Sequence, residues 1–124
     1  MDHVAVLTWA ELQQTRFPQR SFVIDPILKD RQVAMIYAPT GVGKTWFTLS
    51  LAVVAASGDG AGFLGFAGAG EGIKVLVIDG EMDVEDLQQR LDLIIGAVKA
   101  DDERVRKNLI LASRQHQPFG TAFL

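Results

Sequence analysis

The chain contains no cysteine. That excludes disulfides and thiolate metal sites, and it sits easily with a reducing, cytoplasmic setting. It has no excess of positive charge either. Twelve Lys and Arg stand against fifteen Asp and Glu, a formal net charge of −3, so no surface for a nucleic-acid backbone is written into it. Long hydrophobic runs are missing as well. The longest, after residue 45, is broken by Thr48 and Ser50 and is too short for a bilayer. The opening residues MDHVAVLTWAELQ carry acidic groups and no apolar core of secretory-signal type, so no membrane partner is expected. At 124 residues and 48% hydrophobic content, what remains is one globular domain at most.

Within that domain the organising stretch is Ala38-Pro39-Thr40-Gly41-Val42-Gly43-Lys44-Thr45. It fits the phosphate-binding loop G-x-x-x-x-G-K-[ST], with Ala38 replacing the first glycine. Converging N–H donors reach a phosphate only where the backbone is free of bulk, which Gly41 and Gly43 permit. Lys44 supplies charge for the β- and γ-oxygens, and the Thr45 hydroxyl is suited to one Mg²⁺ position. Ala38 is tolerable if its place does not require positive φ. An ordinary glycine turn would leave the GKT triplet at its fixed place unexplained.

Gln32 to Tyr37 reads as a buried parallel strand before the loop, and Trp46 to Ala56 as a helix after it that stops at Ser57-Gly58. Strand, loop and helix N-terminus together aim amides and a positive dipole end at an anion. Upstream, Thr8-Trp9-Ala10-Glu11 matches a capping box, which predicts a short helix from Trp9 to about Arg16, ended by Phe17-Pro18. Ser21 to Asp25 reads as a small strand, and Asp25-Pro26 as the start of a turn or single helical turn through Lys29. Residues 1–31 form a cap segment in this reading.

Seven glycines fall between Gly58 and Gly72, which predicts a flexible surface loop pinned by Phe63, Leu64 and Phe66. Ile73 to Ile78 is a β-branched strand, followed by Asp79-Gly80-Glu81 and a helix whose N-cap is Asp83. Val84, Leu87, Leu91, Ile94, Ile95 and Val98 fall on one face of it, with Arg90, Asp92 and Lys99 on or near the wet side. Asp101 to Lys107 reads as a solvated helical turn, and Asn108 to Ser113 as a third strand. The alternation predicts a parallel α/β sheet with right-handed crossovers.

Ligands of such sheets sit at the carboxyl ends of the strands, where Asp79 and Glu81 fall. Two assignments stay open on the residues alone. Glu81 polarises the water that attacks the γ-phosphate, or Asp79 holds Mg²⁺. The plain alternative is that both acids only favour the N-terminus of the next helix.

VLVIDGEM and an amphipathic helix, downstream of GKT, resemble the RecA-like P-loop ATPases. They are most similar to the branch holding the RepA-type and DnaB-type hexameric helicases and the KaiC-like ATPases. FLGF before a glycine turn resembles the spacer of the RepA-like members. The resemblance covers most of Arg20 to Ser113 and implies an α/β, parallel-sheet fold, with residues 32–124 as the N-terminal half of the ATPase core. It implies ATP and Mg²⁺ as ligands, Lys44 and Thr45 in the phosphate loop, and Glu81 as the water-activating glutamate. It also implies assembly into a homo-oligomeric ring, with DNA contacts carried by parts outside this chain. The nucleotide-contacting set is then Ala38, Pro39, Thr40, Gly41, Val42, Gly43, Lys44, Thr45 and Trp46. Catalysis falls to Glu81 and Lys44, and the metal to Thr45 and Asp79. Arg114 matches no family motif.

Overall fold

A computed structural model describes residues 6–16, 21–39 and 43–113. Its pillar is helix α2 (Lys44–Ser57), apolar on most of its circumference, with Val53, Val54 and Ala56 fully buried. One side, Leu49 and Val53, packs on Leu87, Leu91, Ile94 and Val98 of the third-helix region and on Val105. The other side, Leu51 and Ala55, packs on Ile24, with Phe47, Phe63, Phe66 and Val75 around them.

Two small sheets flank the pillar. β5 (Val75–Asp79) and β6 (Leu109–Ser113) are parallel and in register, Asp79 opposite Ser113, joined by α3 (Val84–Ala97) and α4 (Asp102–Asn108). The second sheet is antiparallel, in the order β2 (Leu28–Lys29), β1 (Phe22–Asp25), β4 (Phe66–Gly68), β3 (Gly62–Phe63). The parallel architecture expected of the whole is therefore met by the β5–β6 pair alone. The preamble forms a helix, α1 (Trp9–Gln14), with both halves of the expected capping box in place between Thr8 and Glu11. Phe17-Pro18 lies outside the described residues.

Three readings need correction. Gln32–Tyr37 is not a buried strand: Val33 is 98% exposed, Met35 83% and Tyr37 84%. Among the described residues no strand is hydrogen-bonded to it. β propensity gives an extended chain, but a strand exists only beside a neighbour. For the same reason β5 is only half-buried, Val75, Val77 and Asp79 facing inward while Leu76 and Ile78 stay exposed.

The glycine-rich stretch is not a loose loop. It folds into the β3–β4 hairpin and pairs with β1, Ile24 opposite Gly68. Phe63 and Phe66 meet Phe47 edge-on at 5.7 and 6.0 Å between ring centroids, whereas Leu64 at the hairpin tip is exposed. Glycine is required where the backbone closes on the end of α2. Gly72 has φ +83, and a Cβ there would collide with the Ala56 carbonyl. The turn after Asp25-Pro26, finally, leads into the short strand β2.

Asp101 to Lys107 does more than carry charge. A helix leaves its last four carbonyls without partners, and here all four are met from outside α2. Val54 O accepts from Gly58 N at 3.0 Å and Ala55 O from Ile73 N at 3.1 Å. Ala56 O accepts from Asn108 Nδ2 at 2.9 Å and Ser57 O from an Arg104 Nη at 3.2 Å. The same Arg104 nitrogen donates to Asp59 Oδ1 at 2.7 Å, which raises the guanidinium pKa above its ordinary value against the opposing effect of desolvation. Pinned at its C-terminus, α2 presents its N-terminus as a fixed edge.

Candidate nucleotide site

The free end of α2 and the carboxyl end of β5 open on one cavity of about 410 Å³, lined by Pro39, Gly43, Lys44, Thr45, Trp46, Glu81 and Arg90. That is within the roughly 300–1,000 Å³ of ordinary small-molecule pockets. Gly43 stands at the N-cap of α2 in the left-handed region, φ 83°, where only glycine is unstrained. Ala38 is not among the residues with positive φ, so the missing glycine is tolerated there. The Lys44 ammonium donates to the Ala38 carbonyl at 3.4 Å, a long bond that an anionic ligand can readily outbid. The Thr45 hydroxyl makes no hydrogen bond within the described residues, whereas Thr48 and Ser50 spend theirs on carbonyls one turn back. Thr40, Gly41 and Val42 lie outside the described residues, as does Arg114.

The two acids after β5 are held differently. Asp79 Oδ2 accepts from the Met82 amide at 2.9 Å and closes the turn between β5 and α3. With Thr45 it lines an adjoining cavity of about 250 Å³ that also includes Ile36, Val77 and Met82. Glu81 is exposed at the tip of that turn and lines the larger cavity with Lys44. The turn therefore turns Glu81 toward the helix N-terminus and occupies one oxygen of Asp79.

A family model described as an AAA domain matches residues 2–121. The chain belongs to the AAA domain family. AAA domains are P-loop, nucleotide-binding ATPase domains. No curated protein and no solved structure matches the chain. Among the described residues no helix is long and apolar enough to cross a membrane.

One cavity residue escaped the sequence reading. Arg90, placed there on the wet side of α3, is half-buried, and its guanidinium carbon lies 5.0 Å from the centre of the Trp46 ring. The signal was available: Arg90 follows the N-cap Asp83 by seven residues, two turns along the face that starts beside Glu81. A Mg²⁺ ion fits the donor set only if phosphate oxygens complete it. Thr45 and Asp79 offer one oxygen type each, and among the described residues no group of three or more His, Asp or Glu could hold a metal.

Proposed function

We propose that this AAA domain binds Mg-ATP at Ala38–Thr45 and hydrolyses it, with Glu81 activating the attacking water. The observation that carries this is the shared cavity, with Lys44 and Thr45 on one wall and Glu81 facing them from the end of the neighbouring strand. Lys44 and the α2 amides neutralise the β- and γ-phosphates, and Thr45 takes one Mg²⁺ position. Glu81, on the same cavity, supplies the carboxylate that would orient and deprotonate the attacking water. The resemblance of VLVIDGEM to RecA-like ATPases supports the same role and extends it to a replication or mobile-element helicase acting as a ring. DNA contacts would then lie outside this acidic chain.

Glu81→Gln is the direct test. It keeps size and hydrogen-bonding capacity but removes the base, so ATP binding persists while hydrolysis falls by about 10²–10⁴-fold. Normal hydrolysis by the variant would contradict the assignment.

A second reading, an ATP-dependent assembly switch with slow turnover, is favoured by one feature. Val33, Met35, Tyr37, Leu76 and Ile78 leave extended apolar chain uncovered, and Ile78 lines the cavity that adjoins the site. Monomeric surfaces rarely carry such area without a partner.

A further inference from the structure

We propose that Trp46 is a positioning residue that orders the Arg90 guanidinium at the cavity wall before nucleotide arrives, so that Arg90 contributes to ATP affinity through its seat on the indole. This rests on the nucleotide reading of the same cavity. Arg90 and Trp46 come from different helices, and the 5.0 Å contact joins α3 to the second residue of α2. Asp86, four residues earlier on α3 and the ordinary partner for such an arginine, makes no ion pair with it. Among the described residues no carboxylate is within ion-pair distance of Arg90 at all. The charge is therefore not spent on the protein. It rests on an aromatic face, which holds a cation without using its N–H donors.

Geometry makes this useful. A guanidinium held over the Trp46 ring keeps its N–H donors, and Arg90 lines the same cavity as Lys44, Thr45 and Glu81. An arginine free in solution must lose its rotamer freedom when a ligand binds, and one already seated loses less. Trp46 can serve as a platform because its own backbone is held: Ser50 Oγ donates to the Trp46 carbonyl at 2.7 Å inside α2. An arginine seated in this way also places a second fixed cation across from Lys44, which a highly anionic ligand needs more than a neutral one.

The test is a double-mutant cycle on the full chain, with Mg-ATP affinity measured by calorimetry for wild type, R90Q, W46L, R90Q/W46L and W46F. Each single loss should weaken binding roughly 2–20-fold, the range between an exposed and a desolvated cation–π contact. The double variant should be no weaker than the worse single within about twofold. W46F, which keeps an aromatic face, should stay within about threefold of wild type. A ligand-free arm reads the seat itself. In a Trp9→Phe background Trp46 is the sole tryptophan, and R90Q should change its emission and its quenching by iodide. Unchanged emission, unchanged affinity of R90Q, or additive losses in the double variant each overturn the proposal. If wild type binds no ATP while R90Q still alters the emission, the nucleotide reading fails and takes this role with it. Normal wild-type binding with additive losses overturns this role alone.

Discussion

Asp79 and Glu81 are two positions apart and chemically alike, yet the turn that holds them gives them separate tasks. The Asp79 carboxylate accepts from the Met82 amide and so shapes the turn, while Glu81 at its tip faces Lys44 across the cavity. Asparagine at 79 retains the acceptor oxygen. Asp79→Asn should therefore keep the fold and leave Glu81 in place, with hydrolysis reduced far less than in Glu81→Gln; phosphate release at saturating ATP measures both. If Asp79→Asn is the more damaging of the two, Asp79 carries the metal and Glu81 is not the base. The sequence left these assignments open because spacing along a strand end says nothing of which oxygen is already bonded.

Among the elements, those whose partners are local were legible and those whose partners are distant were not. The capping box at Thr8 is in place, and the helix expected from Trp46 to Ala56 runs from Lys44 to Ser57. Helix α3 begins after Asp83 as expected, with Asp83 at the N-cap position but without a side-chain capping bond. Gln32–Tyr37 shows the other case, since its apolar residues specify an extended chain but not the neighbour that would make it a strand. Between Gly58 and Gly72 a run of glycines suggested freedom, whereas Gly58, Gly68 and Gly72 answer to close approach. Gly72 is the clearest, at φ +83 and against the Ala56 carbonyl at the closed end of α2. A left-handed alanine alone costs about 1–2 kcal/mol, and here the added methyl must also displace backbone. Gly72→Ala should lower the melting temperature well beyond Gly60→Ala, also at positive φ but with open space around it. Equal shifts in thermal unfolding would show that conformation, and not packing against α2, sets the need for glycine.

At the scale of the molecule, α2 couples the two ends. Its last carbonyls are taken up by Asn108, Arg104, Gly58 and Ile73, and its first turn opens on the cavity that Glu81 also lines. Ile36 and Ile78, from the two uncovered apolar stretches, line the cavity that adjoins that end with Lys44 and Thr45. Association of copies should consequently respond to nucleotide. Light scattering is expected to give a larger mass with Mg-ATP than without, and a mass independent of nucleotide would remove the ring from the account.

All of this depends on a triphosphate engaging the ammonium at the head of α2. The most direct measurement is calorimetric titration of Mg-ATP into the wild-type chain and into Lys44→Ala, with circular dichroism showing both folded. The account predicts saturable binding by the wild type and a loss of about 10–100-fold in the variant, the scale of a charge-assisted phosphate contact. Equal affinities in the two chains would contradict it.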